Sequence, residues 1–352
     1  MIANRGLRSR AAYRGCLLGG AVGDALGAPV EFDSWSHIQS RLGPRGVTGF
    51  EEAFGRRGAI TDDTQMTLFT AEGLIRAANR FDDRGLVSVE ASVHRAYLRW
   101  LVTQGEGGAA PHDPGWLVGV RGLHARRAPG NTCLSALRST KERSIEHPLN
   151  DSKGCGGVMR IAPVGLTSVS DPFEVGCKCA ALTHGHPTGY LAAGCLAQVV
   201  AELAHGADLA DAAQRALGRL EREPRCEETR HAVQVAMNQA AKGKPSPATV
   251  ESLGGGWIAE EALAIGLYCA LVAQDFESGV LLAVNHGGDS DSTGSIAGNL
   301  LGLALGEQGI PGRWLEELEL RDVIETVADD LWMHFGEGAP GPCDDEGRYP
   351  PK

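Results

Sequence analysis

Two carboxylates one residue apart, Asp289 and Asp291, sit in the run Asn285-His286-Gly287-Gly288-Asp289-Ser290-Asp291-Ser292-Thr293-Gly294, with hydroxyls around them and a small-residue apolar run from Ser295 onward. Carboxylate, hydroxyl and water oxygens suit a hard cation such as Mg, Mn or Ca, whereas Zn or Cu would want His nitrogen or Cys sulfur. Two acids rarely suffice to hold Mg. Thr61-Asp62-Asp63-Thr64 offers the same chemistry again, just before a run over 65–78 with Met66, Phe69, Leu74 and Ala77 near helical spacing. If the two clusters meet, four carboxylates converge, and their repulsion must be offset by metal or by raised pKa values. A binuclear metal centre is the economical expectation. The competing reading is that each cluster is a plain helix N-cap, where Ser, Thr and Asp are favoured in any case. An EF-hand is excluded, because with Asp289 as its first position the twelfth, which must be Glu, is Leu300. The Asp-x-Asp of nucleotide-sugar transferases is a further rival, since Val280–Val284 passes for a strand, but few other strands are legible to build its sheet.

The elements that must position these groups are helices with small side chains. The 352 residues are 43% hydrophobic yet 5% aromatic and contain 48 glycines, which indicates a globular core built by close approach. A net charge of -11 argues against nucleic acid or an anionic membrane as partner. With no N-terminal apolar segment and no long uncharged apolar run, a cytoplasmic location is expected. Nine cysteines without a C-x-x-C pair signal neither a disulfide framework nor a zinc site.

Gly15, Gly19, Gly23 and Gly27 are spaced by four, and so are Gly294, Gly298, Gly302 and Gly306 directly after the acidic loop. Glycine inside a helix costs roughly 1 kcal/mol against Ala, so both stripes are expected in the tightly packed centre, where backbone contact offsets that cost. Glu31 lies just past the first stripe. A helix is expected over 87–100, an irregular section over 105–130, and a helix over 133–140 opened by Gly130-Asn131-Thr132, an anion-binding start or an ordinary N-cap. In Ser152-Lys153-Gly154-Cys155-Gly156-Gly157-Val158-Met159-Arg160, the glycines let main-chain N–H groups approach an anion, with Lys153 and Arg160 adding positive charge. It is not a Walker loop, since the Gly-Lys-Ser/Thr ending is missing. His184-x-His186 lies in a turn between amphipathic helices. Residues 221–254 read as a charged surface excursion, 257–273 as a helix and 336–352 as a loosely attached tail; no interdomain linker is visible.

The ordered set Gly19-Gly-Ala-Val-Gly-Asp-Ala-Leu-Gly27, Thr61-Asp-Asp-Thr64, Lys153-Gly-Cys-Gly-Gly-Val-Met-Arg160, Thr183-His184 and Gly288-Asp-Ser-Asp-Ser292 resembles the ADP-ribosylglycohydrolases of the dinitrogenase reductase-activating type. The resemblance covers roughly residues 14–306. It implies one all-α domain over 1–352, a compact orthogonal multi-helix bundle with residues 1–13 as an N-terminal arm, and two Mg or Mn ions at its centre beneath an ADP-ribose cleft. By the same resemblance Thr61, Asp62, Asp63, Asp289, Asp291 and Ser292 match the metal ligands, and Glu31 an acid near the scissile bond. Gly130, Asn131, Thr132, Gly154, Cys155, Gly156 and Gly157 match the diphosphate and ribose cradle, with Met159 and His184 lining the cleft. Ser292 replaces a frequent Thr and keeps the hydroxyl; Cys155 stands where relatives often carry Asn.

The implied activity is metal-dependent hydrolysis of the N-glycosidic bond between ADP-ribose and a protein side chain, arginine first, with Asp62 or Glu31 as base. Two alternatives stay open. One keeps the fold but changes the acceptor to serine-linked, O-acetyl-linked or small-molecule ADP-ribose. The other is a non-enzymatic relative or an immunity protein that neutralises an ADP-ribosyltransferase toxin by contact, with the basic segment Arg5–Arg10 as contact arm.

Overall fold

A computed structural model of the chain describes residues 8–106, 115–341 and 347–351. Among the described residues sixteen α-helices follow one another: α1 (Arg10–Gly27), α2 (Trp35–Leu42), α3 (Asp62–Arg84), α4 (Val89–Thr103), α5 (Asn131–Arg138), α6 (Ala162–Gly165), α7 (Pro172–Ala181), α8 (Pro187–Ala204), α9 (Leu209–Leu220), α10 (Glu227–Ala241), α11 (Pro247–Glu251), α12 (Ala259–Val272), α13 (Phe276–Val284), α14 (Ser290–Leu305), α15 (Gly312–Glu317) and α16 (Arg321–Phe335). The described strands are two short ones, β1 (Glu52–Ala53) and β2 (Arg56–Arg57), paired antiparallel. The expected all-α class is what the chain adopts. Among the described residues no helix is long and apolar enough to cross a membrane.

The two glycine stripes meet. A Cβ at Gly15, Gly19 or Gly23 would overlap the carbonyl oxygen of Gly302, Gly298 or Gly294 in turn, and one at Gly27 would overlap the Ser290 peptide. α1 and α14 are therefore antiparallel with touching backbones, and van der Waals contact along the seam replaces the side chains that the glycines lack. Asn299 ties the seam by donating to the Cys16 carbonyl at 2.8 Å. Gly306 ends α14 with φ +73°, a conformation that favours glycine, and still packs on α1, where a Cβ at Gly15 would come 2.7 Å from its carbonyl carbon. The geometric consequence is that the end of α1 lies beside the start of α14, so Glu31 and the Asp289–Asp291 pair arrive at one place.

α3 is locked to the same seam by Asp24, a buried carboxylate of α1. It accepts from the backbone N–H of Thr61 at 3.0 Å, from that of Thr64 at 3.1 Å and from the Thr64 hydroxyl. Three expected boundaries shift. α3 starts at Asp62, because Thr61 is its N-cap. Val280–Val284 belongs to α13, whose capping box joins Asp275 and Ser278, so the strand reading fails. Within 221–254, read as a surface excursion, α10 buries Thr229, Val233 and Ala236, a helical stripe masked by the charges around it.

Both termini are also better anchored than expected. Ser9 caps α1, and Arg8 donates to the Phe335 carbonyl at 2.7 Å. In the stretch read as a loose tail, Tyr349 is fully buried with its hydroxyl donating to Asp330 at 2.9 Å, and Arg348 pairs with the same carboxylate at 2.7 Å. Residues 1–7, 342–346 and 352, including Arg5 and Cys343, lie outside the described residues.

Candidate active site

Each proposed ligand stands at a helix start. Thr61 caps α3 by accepting from the Asp63 N–H at 3.2 Å, which leaves Asp62 and Asp63 in the first turn, where the helix dipole favours negative charge. The Gly130 N–H donates to Asp62 Oδ2 at 3.2 Å, so the turn that opens α5 closes on the same carboxylate. Asp289 caps α14 and accepts from the Ser292 N–H at 3.3 Å, while Asp291 accepts from the same N–H at 3.0 Å. The preceding residue must be glycine. Gly288 has φ +154°, and a Cβ there would overlap the Gly255 carbonyl, to which the Asp289 N–H donates at 2.8 Å.

Thr61, Asp62, Asp63, Asp289, Asp291, Ser292 and Glu31 are all buried, and the acids act on one another. Burial, then the charges of Asp289, Asp62 and Asp24, pushes the Glu31 carboxyl up to about 8. Burial likewise raises Asp62 to about 8 against the pull of the Gly130 N–H, and Asp24 to about 6. Asp63 lies well above the usual carboxylate range through burial and then Asp24, Asp62 and Asp289, and Asp291 does so through burial and then Asp63, Asp289 and Glu31. Pairs more than two hundred positions apart thus share one electrostatic site.

The glycine loop forms the adjacent wall. It is pinned to the segment leading into α12, where the Cys155 N–H donates to the Trp257 carbonyl at 3.2 Å and the Ala259 N–H to Lys153 at 2.8 Å. The Cys155 thiol donates to Asp289 Oδ2 at 2.7 Å, coupling loop to acid cluster. Met159 is buried against the Ser292 hydroxyl at 4.0 Å, and Thr132 shares a 3.3 Å hydrogen bond with Ser152 at the base of the loop; Asn131 is exposed. His184 is buried beneath the loop rather than presented at its open side: a Cβ on Gly156 would come within 2.9 Å of its Cε1. Burial, then Arg160, lowers it to about 3, so it is a neutral support hydrogen-bonded to Thr183 at 2.8 Å. His186 caps α8 instead of joining it.

Two expectations about charge fail. Lys153 is held by Glu228 at 2.8 Å and Glu260 at 3.0 Å, and the fully buried Arg160 lies 4.4 Å over the Tyr97 ring, donating to Tyr97, Cys133 and Thr183. Both cations are therefore engaged by partners within the chain. Asp24 was not among the candidates, although a lone acid inside a glycine-striped helix was a usable signal: a buried charge must have a task.

A family model described as ADP-ribosylglycohydrolase matches residues 5–340. The chain belongs to this family. It is 28% identical over 313 residues to the ADP-ribosyl-[dinitrogen reductase] glycohydrolase of Rhodospirillum rubrum, covering 87% of this chain and 90% of that protein. It is 24% identical to the ADP-ribosylarginine hydrolase Tri1 of Pseudomonas putida, covering 91% and 77%, and 25% identical to human ADP-ribosylhydrolase ARH3, covering 93% and 94%. A solved ADP-ribosylglycohydrolase-related protein complex superposes with a TM-score of 0.67 at 27% identity, covering 92% of this chain and 97% of that one. Membership supports a hydrolase of ADP-ribose linkages in a family whose members depend on metal.

The residues fit such an ion. The donors are carboxylate and hydroxyl oxygens, and buried Asp63 Oδ1 has no hydrogen-bond partner. Among the described residues no group of three or more His, Cys, Asp or Glu side chains is arranged so that it could hold a metal ion, so the expected convergence of four carboxylates on a binuclear centre is not seen.

Proposed function

We propose that this glycohydrolase removes ADP-ribose from arginine side chains by hydrolysis of the N-glycosidic bond, with two Mg or Mn ions held by Thr61, Asp62, Asp63, Asp289, Asp291 and Ser292. One observation carries the reading: two carboxylate pairs and Glu31 are buried and act on one another beside a glycine loop. Bound divalent metal supplies polarisation of ribose hydroxyls and of water. The chain does the rest. The diphosphate and ribose are placed against the Gly154–Gly157 loop and the Gly130–Thr132 turn, so that binding far from the reacting bond positions the anomeric carbon. The N–H groups of Gly154, Cys155 and Gly130 are already given to Ser152, Trp257 and Asp62. Glu31 and Asp62, buried in the same acid cluster, are the carboxylates we assign to proton transfer. One accepts the proton of the attacking water as the new C–O bond forms and the C–N bond breaks, and the guanidine leaves with the electron pair and a proton. Arginine as acceptor is supported by the likeness to the ADP-ribosylarginine hydrolase Tri1. A contact-arm role for Arg5–Arg10 gains no support, since Arg8 and Arg10 bind Phe335 and Asp329 of the same chain.

The test is release of ADP-ribose from an arginine-modified peptide with Mg or Mn, followed by chromatography. The Asp289→Ala, Asp291→Ala double variant is expected to lose at least about a hundredfold in rate. Undiminished release by that variant, or none by the natural protein, overturns the proposal.

A further inference from the structure

Two large aromatic side chains stand exposed at the rim of the acid cluster and stack on each other. Phe32 is 75% exposed and Trp257 44%, with ring centroids 5.6 Å apart and planes within 20°. In a chain that is 5% aromatic, this is apolar area left in water where it adds nothing to the core. Their backbones are fixed by the site itself. Phe32 follows Glu31 directly. Trp257 follows Gly256, whose Cβ, if present, would lie 3.3 Å from that of Asp289, and the Trp257 carbonyl accepts from the Cys155 N–H. The stack therefore borders the carboxylates on one side and the glycine loop on the other.

We propose that Phe32 and Trp257 form the acceptor subsite, a π-surface on which the guanidinium of the modified arginine lies and which selects arginine-linked over serine-linked ADP-ribose. The inference rests on the hydrolase reading above. A guanidinium is planar, cationic and weakly hydrated, and stacks on aromatic faces, whereas a serine hydroxyl gains nothing there. Adenine is the other planar group of the substrate, but two riboses and a diphosphate separate it from the anomeric carbon, while Phe32 adjoins Glu31.

The Phe32→Leu, Trp257→Leu double variant keeps apolar bulk and removes both π-faces. kcat/KM is measured on one peptide carrying ADP-ribose through arginine or through serine, and affinity for the arginine conjugate and for free ADP-ribose by calorimetry. The expected result is about a tenfold loss on the arginine conjugate, mainly in KM, with the serine conjugate and free ADP-ribose within about twofold of the natural protein. Phe32→Tyr with Trp257→Phe, which keeps both rings, restores the preference. An unchanged arginine-to-serine ratio overturns the assignment. A parallel loss of affinity for free ADP-ribose overturns it too, placing adenine on the stack. A natural protein that cleaves neither conjugate sinks the hydrolase reading alone, because the calorimetric comparison of conjugate with free ADP-ribose still reads the stack.

Discussion

The α1–α14 seam has carboxylates at both ends, and the two ends treat them in opposite ways. Where α1 begins, Asp329 of α16 is bound by Arg10 and by Arg14 at 2.7 Å, with Glu307 and Glu325 around the same Arg14. Partial burial raises its carboxyl, but the hydrogen bonds from Arg10 and Arg14 prevail and bring it down to about 2. Where α1 ends, Asp24, Glu31, Asp62, Asp63 and Asp291 are buried near one another, and all shift upward. The fold is therefore able to neutralise an acid with arginine. At the other end the acids shift upward instead, and the metal site proposed above rests on that difference.

The two ends should separate cleanly along the pH axis. Asp62 and Glu31 start from ordinary values of 3.8 and 4.5 and reach about 8 in the folded protein. Between those values the folded chain keeps protons that the unfolded chain has released, so stability falls as pH rises from about 4 to about 8. Asp329 works in reverse: its contribution is present above its ordinary 3.8 and lost as pH falls through about 2. Metal-free protein is expected to melt at least about 5 °C lower at pH 8 than at pH 5.5, and Mn or Mg should recover most of that loss at pH 8 and little at pH 5.5. Differential scanning calorimetry in chelator-treated buffers reads both. A melting temperature that climbs across this range would mean that the acids are compensated after all.

The seam itself is the next target, since both ends hang on it. A methyl at Gly298 would overlap the Gly19 carbonyl, and two backbones would have to part. Gly298→Ala should cost about 3 kcal/mol in chemical denaturation and cut hydrolysis as well, because moving α14 moves Asp289. Gly218, inside α9 with open space around its Cα, is the control: its replacement by Ala should stabilise by up to about 1 kcal/mol. Equal losses at both positions would remove the case for a packed seam.

What was legible in the sequence were features with a local period or a fixed chemistry. Spacing by four revealed both glycine stripes, and the pairing of Asp with Ser and Thr revealed both helix starts; neither needs knowledge of what lies across the fold. Partnerships set by tertiary packing stayed hidden. Arg160 and Lys153 read as free positive charge, yet Tyr97, Thr183, Glu228 and Glu260 claim them from distant helices. α10 was obscured because its buried stripe of Thr229, Val233 and Ala236 is weakly apolar. Tyr349 reads as part of a proline-rich tail until Asp330 and the Trp116 ring, 6.3 Å from its own, are seen to receive it. Phe32 and Trp257 are unremarkable alone; only the fold stacks them.

The smallest expected effect tests the contrast most directly, because it compares the same substitution at the two ends. Asp329→Asn leaves Arg10 and Arg14 facing a neutral amide and should cost about 1 kcal/mol at pH 8, with hydrolysis unchanged within about twofold. Asp63→Asn keeps the shape, removes one of several like charges and offers an N–H to neighbouring carboxylates, so metal-free protein should gain about 1 kcal/mol at pH 8 while activity is lost. Adding Mn should reverse the order, stabilising the natural protein and Asp329→Asn but not Asp63→Asn. If Asp63→Asn is the more destabilised of the two without metal, its carboxylate already has a compensating partner within the chain, and the difference between the ends is one of degree.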